Sequence, residues 1–141
     1  MDDGSRWAIY RLLVDYADAL DKRDRERVGE CFTVDATAVY AGNAVGPGRE
    51  AMLDYLWKHL TSLTSTHFVG NVQIDFTSAS AATTDSFVMA THVVRVGDEL
   101  RLRLRGLRYI DEIVLVDDSW QIRTRHHLPV WATEMAGEKF A

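Results

Sequence analysis

The apolar residues of this 141-residue chain change their spacing after Leu60, and that change constrains what it can fold into. Before it, Ile9, Leu12, Leu13, Tyr16, Ala17 and Leu20 recur every three or four positions, as do Met52, Leu53, Leu56, Trp57 and Leu60. Such spacing gathers apolar side chains on one face of a helix. After it the period is two, the pattern of strands with one buried face. The spacing predicts helices over residues 6–22, 24–31 and 49–60, a short strand at 35–41, and strands at 67–76, 82–96, 99–116 and 120–131. Ser78-Ala79-Ser80, Gly97-Asp98 and Asp117-Asp118-Ser119 lie between the later strands and suit hairpin turns. Gly42-Asn43 and Gly46-Pro47-Gly48 are further turn signals. Helices followed by a long meander predict an α+β fold, with one bent antiparallel sheet from about residue 66 to 131 wrapping the helices. The length fits one domain over residues 1–141.

Charge narrows the partners. Sixteen Lys and Arg against 21 Asp and Glu give a net charge of −5, a poor match to a nucleic-acid phosphate backbone. The one basic stretch, Arg101-Leu102-Arg103-Leu104-Arg105, alternates with leucine and reads as a strand with a solvated face. No apolar run approaches the roughly 18–20 residues that span a bilayer, so no membrane partner is expected. The acidic, polar start (Met1-Asp2-Asp3-Gly4-Ser5) resembles neither a secretory signal nor a transit peptide. A single cysteine, Cys31, excludes an internal disulfide and points to a cytoplasmic location.

On the first helix Ser5 is positioned as an N-cap. Asp18 falls opposite Ile9, in solvent, whereas Asp21 falls on the flank of the apolar face, in line with Ala17 and Tyr10. Five histidines are the natural candidates for proton transfer. His59, near a helix end, fits a capping or surface role; His92 fits core, surface or pocket. His126 and His127 are adjacent in a strand and point to opposite faces. None has metal-ligand spacing, so no metal and no cofactor are expected. His67 opens a strand just after a helix and a Ser/Thr-rich loop, where it could meet a carboxylate on the helix rim. A carboxylate fixes the tautomer of an imidazole and stabilises the imidazolium that forms when it takes a proton. Spacing alone leaves both this reading and a structural histidine open.

Several stretches together resemble the SnoaL-like members of the NTF2-like superfamily. They are Tyr16-Ala17-Asp18-Ala19-Leu20-Asp21-Lys22-Arg23-Asp24, Phe32-Thr33-Val34-Asp35-Ala36, Gly48-Arg49-Glu50-Ala51 and Thr66-His67-Phe68-Val69-Gly70-Asn71. Tyr109-Ile110-Asp111-Glu112 and Trp120-Gln121-Ile122-Arg123 complete the set. The resemblance implies a cone, a strongly bent antiparallel sheet around N-terminal helices with a pocket at the open end. That superfamily includes scytalone dehydratase, a hexachlorocyclohexane dehydrochlorinase, polyketide cyclases, steroid isomerases and dioxygenase small subunits. It implies that Asp21 and His67 are a catalytic pair and Arg125 a pocket arginine. Tyr16, Asn71, Met89 and Tyr109 are the other expected substrate-binding residues. Leu20 stands where the dehydratase has tyrosine, and Leu107 and Tyr109 where it has a serine–asparagine pair, so scytalone is not the expected substrate.

The resulting expectation is a cofactor-free lyase, a dehydratase or other β-eliminating enzyme. Its ligand would be small and largely apolar, of aromatic, steroid or polyketide type. The alternatives are an isomerase or cyclase using the same proton abstraction, or a non-catalytic ligand-binding or assembly subunit. Phe87, Met89, Val94, Leu102, Leu104, Ile113 and Leu115 are expected to contribute to the sheet's outer face, and an apolar face of that extent predicts a homodimer or homotrimer.

Overall fold

The structure, a computed structural model, describes residues 3–137. Helix α1 (Asp3–Asp21) buries Ile9, Leu12, Leu13, Tyr16, Ala17, Ala19 and Leu20, the face that the sequence period defines together with Ala19. The helix begins at Asp3, so Ser5 lies inside its first turn and not at the N-cap position. After α1 the chain turns within three residues into α2 (Arg25–Glu30), where the Asp24 carboxylate caps the helix by accepting the Arg27 N–H at 3.1 Å. Strand β1 (Phe32–Tyr40) follows and is longer than its polar interruptions indicated; β2 (Asn43–Val45) pairs back on it. Helix α3 (Arg49–His59) then carries the chain to the long strands β3 (Thr64–Ser78), β4 (Ala81–Val96), β5 (Glu99–Val116) and β6 (Ser119–Ala136). The three hairpin turns between these strands fall where the sequence places them, and β6 runs five residues past the expected end at 131.

The six strands form one sheet in the order β2-β1-β6-β5-β4-β3. The meander from β3 to β6 is antiparallel throughout. β1, however, pairs with β6 in parallel, Phe32 opposite Ile122 and Tyr40 opposite His127. The sheet is therefore mixed, which corrects the expectation of a wholly antiparallel one. β2 already occupies one edge of β1, so the last strand of the meander joins the other edge. The α3 connection sets the direction of β3, and three hairpin reversals then carry that direction to β6. Register shifts between Gly70 and Gln73, Gly106 and Leu107, and Glu112 and Ile113 bend the long strands. The bent sheet closes over α1, whose main sheet contact is β3.

This curvature sorts the side chains. Val88 and Ala90 of β4, Leu107 and Tyr109 of β5, and Ile122 of β6 join Tyr16, Leu20 and Phe32 in the core. Ile113, expected outside, is fully buried with them, because it falls in the same alternation as Leu107, Tyr109 and Asp111 on the inner face of β5. Outward-facing Phe68 and Met89 are 71% and 41% exposed. No described helix is long and apolar enough to cross a membrane.

The link from β2 to α3 depends on Gly46. Its φ is +102°, and a Cβ there would sit 2.9 Å from the Ala36 carbonyl oxygen. Gly46→Ala should destabilise the protein by about 1–3 kcal/mol, measured as a lower denaturation midpoint with an unchanged denaturant slope.

Candidate active site

A cavity of about 190 Å³ lies between α1, α3 and the inner face of the sheet. Tyr16 and Leu20 of α1, Tyr40 of β1 and Tyr55, Leu56 and His59 of α3 form one side. His67, Ala90, His92, Arg105, Leu107, Tyr109 and His127 form the other. Apolar walls with a few polar groups are the usual make-up of a small-molecule site. A larger groove, about 580 Å³, lies beside the β1–β2 hairpin among Thr37, Pro47, Glu112 and His126, with neither Asp21 nor His67 in its lining.

Asp21, the last residue of α1, meets His67 near the start of β3. Its Oδ1 lies 2.7 Å from His67 Nδ1, and its Oδ2 accepts the His67 backbone N–H at 2.7 Å. Oδ1 also accepts the Ser65 hydroxyl at 2.7 Å. A carboxylate only accepts, so His67 Nδ1 carries a proton, and in the neutral ring Nε2 is the bare nitrogen. His67 lies between two concavities: it lines the cavity, and together with Asp21 it borders a separate depression of about 300 Å³ beside Tyr10, Val14 and Phe68. Burial acts to raise the Asp21 carboxyl, but the hydrogen bonds from the His67 ring, the Ser65 hydroxyl and the His67 backbone together hold it below its ordinary value.

The end of α1 sets this geometry. Arg23 N–H reaches Leu20 O at 3.1 Å and Asp24 N–H reaches Ala19 O at 2.9 Å, the bond pair that closes a helix through a left-handed residue. That residue is Arg23, with φ +59°, where glycine is usual and an L side chain costs about 1–2 kcal/mol. Its guanidinium offsets this by donating to Leu20 O, Asp21 O and Ser65 Oγ through Nη1, and to Ser62 O and Oγ through Nη2. Neither Arg23 nor the two serines stood out in the sequence, since only the fold brings residues 23, 62 and 65 together.

Arg125 does not line the cavity. Fully buried, it forms a two-pronged ion pair with Asp111, Nε to Oδ1 at 2.8 Å and Nη2 to Oδ2 at 2.7 Å. Its guanidinium carbon lies 4.3 Å and 4.0 Å from the ring centres of Tyr16 and Tyr109, both cavity-lining. Among the described residues, Arg125 Nη1 and the Tyr16 and Tyr40 hydroxyls are buried together without a well-aligned hydrogen bond, close enough for each to act on the others. Burial raises all three of Tyr16, Tyr40 and Tyr109, so they stay neutral. Two expected residues lie elsewhere. Met89 points out of the sheet, opposite in sense to buried Ala90. Asn71 is exposed at the β3 irregularity with φ +49°, which breaks the alternation that would have kept it on the face of His67. Among the described residues no three His, Cys, Asp or Glu side chains converge to hold a metal ion. Burial pushes the Cys31 thiol up to about 12, leaving it protonated at neutral pH.

Residues 4–126 match the SnoaL-like domain family. The chain belongs to that family. An uncharacterized protein of Mycobacterium tuberculosis is 31% identical over 124 residues, which cover 85% of this chain and 82% of that one. A candidate scytalone dehydratase from Novosphingobium aromaticivorans superposes with a TM-score of 0.84 at 28% identity, over 95% of this chain and 89% of the other. LinA, a hexachlorocyclohexane dehydrochlorinase, superposes with a TM-score of 0.86 at 26% identity, over 98% and 94%. This SnoaL-like chain thus has the α+β cone of the NTF2-like superfamily.

Two outcomes follow for stability. Asp111→Ala strands the Arg125 cation in the core and should cost about 3–5 kcal/mol, read as a lower thermal midpoint; Asp111→Leu combined with Arg125→Met should recover most of it. Burial, aided by nearby cationic groups, lowers His92 and His127 to about 4, well under the ordinary histidine value. Depressed folded-state values mean the unfolded chain binds these protons first. Their stabilisation is complete above about pH 6.5 and drains away as pH falls toward about 4. Asp21 extends the loss to lower pH, because its own folded value is also depressed. The thermal midpoint should therefore decline from pH 6.5 to 4, and His127→Phe should flatten the slope over that window.

Proposed function

We propose that this chain is a lyase that eliminates a leaving group from a small, largely apolar molecule, with His67 as general base and no cofactor. The observation that carries this reading is the fixing of His67 by Asp21 through both ring and backbone, at the wall of a partly open cavity lined by aromatic and aliphatic side chains. The bare Nε2 takes a proton from carbon next to an electron-withdrawing group. The C–H electron pair becomes the new C=C bond, and the leaving group departs from the adjacent carbon with its own bonding pair. Asp21 stabilises the imidazolium formed in between. If hydroxide leaves, the same imidazolium returns the proton and water is released.

Charge develops on the electron-withdrawing group and the leaving group during this step. Arg105 lines the cavity and can oppose that charge, whereas Arg125, behind the rings of Tyr16 and Tyr109, is balanced by Asp111 and serves to hold those rings in place. The cavity's volume, about 190 Å³, suits a molecule of one or two small rings. The dehydratase and dehydrochlorinase named among the structural relatives carry out eliminations, which supports the same class here.

The test is a panel of small cyclic β-hydroxy ketones and halogenated rings, followed by absorbance of the new double bond and release of halide. Wild-type protein should convert one class. His67→Ala and Asp21→Asn should each lose about 10²–10⁴-fold in kcat while keeping the circular dichroism spectrum of the parent, Asp21→Asn with a somewhat lower thermal midpoint. The double variant should lose little more than either single one, because the pair acts as a unit. Full activity in His67→Ala would overturn the assignment.

A further inference from the structure

We propose that Arg23 is a positioning residue that sets the tautomer of a second cavity histidine, His92, through Ser62, while its other arm steadies the Asp21 carboxylate through Ser65. The proposal rests on the reading of His67 and Asp21 given above only for its bearing on catalysis; the tautomer assignment stands on hydrogen bonds alone.

The argument is one of proton counting. Arginine has five N–H donors and no acceptor. A serine hydroxyl has one proton and two lone pairs, so a hydroxyl that accepts from arginine keeps its proton for another partner. Arg23 Nη1 lies 2.8 Å from Ser65 Oγ, whose proton goes to Asp21 Oδ1 at 2.7 Å. Arg23 Nη2 lies 3.0 Å from Ser62 Oγ, and the other neighbour of that oxygen is His92 Nδ1 at 3.1 Å. If Nδ1 instead donated to the second lone pair of Ser62, the serine proton would have no partner among the described residues; with Ser62 donating every proton is used, so Nδ1 is unprotonated and the proton of neutral His92 sits on Nε2. His67 has the opposite arrangement, with Nδ1 protonated toward Asp21. The two rings meet edge to face with centres 5.4 Å apart, and both line the cavity. One arginine thus gives the cavity a bare nitrogen on His67 and an N–H on His92.

Two further observations fit this role. Arg23 holds a left-handed backbone conformation that glycine would adopt without strain, and the five contacts of its guanidinium offset that strain. Burial, with His67, Arg105 and Arg23 nearby, lowers His92 to about 4, so at neutral pH the ring is uncharged and must choose one tautomer.

Nitrogen-15 NMR of the histidine rings at neutral pH tests this without any substrate. In the wild type the two His92 ring nitrogens should be widely split, with Nε2 of the protonated kind and Nδ1 of the bare kind. Arg23→Gly suits the helix end and should fold; in it the two His92 shifts should converge as the tautomers mix. Ser62→Ala should give the same convergence with the His67 signals unmoved, and Ser65→Ala should leave His92 as in the wild type. A wild-type His92 protonated on Nδ1, or His92 shifts unchanged in both Arg23→Gly and Ser62→Ala, would overturn the proposal. The same spectrum reads His67 independently: a bare Nδ1 there would defeat the base assignment while leaving the His92 result intact.

Discussion

The buried ion pair between Arg125 and Asp111 is the interaction on which the rest of the cone depends. The two residues sit directly opposite each other on β6 and β5, and both side chains are shut away from water. A charge in that position is tolerable only with a partner of matched geometry. The two-pronged contact supplies it and thereby fixes the register of the strand pair at mid-length. The guanidinium then presents its flat faces to aromatic rings: Tyr16 from α1, Tyr109 from β5 and, at 5.7 Å, Phe32 from β1. Helix and sheet are thus held around one cation, and the rings it orders form part of the cavity wall.

A second constraint comes from where α1 stops. Had the helix run on, Asp21 would point along a continuous cylinder, and Arg23 could not turn back over its last carbonyls. The left-handed turn at Arg23 ends α1 one residue after the helix face that packs on the sheet, which leaves the Asp21 carboxylate facing the start of β3. Three hydrogen bonds on that carboxylate offset the cost of half-burying it. The same turn delivers Arg23 to Ser62 and Ser65, so the helix terminus, the loop after α3 and the first residues of β3 form one hydrogen-bonded unit.

Much of this was legible in the chain itself. The change of period after Leu60 marks where helix gives way to meander, since side-chain direction repeats every 3.6 residues in one and every two in the other. The same periodicity puts Asp21 on the rim of the buried face of α1, and the stretch around His67 carries the family resemblance, so both members of this hydrogen-bonded pair are legible in the chain. Asn71 and Met89 were misplaced for opposite reasons. Asn71 follows the alternation until a bulge interrupts it, and Met89 obeys an alternation whose inner face only its neighbour Ala90 reveals.

What the sequence by itself determined is local: which segments are helix or strand, which face of each is apolar, and where the turns fall. These depend on neighbours a few residues apart, and such neighbours are written consecutively. Only the tertiary structure decided the parallel docking of β1 on β6, the retreat of Arg125 from pocket residue to buried core cation, and the gathering of Arg23, Ser62 and Ser65 around the two histidines. Each joins segments far apart along the chain. Their meeting depends on how strand reversals, bulges and helix ends add up in space, and no short-range pattern records that sum.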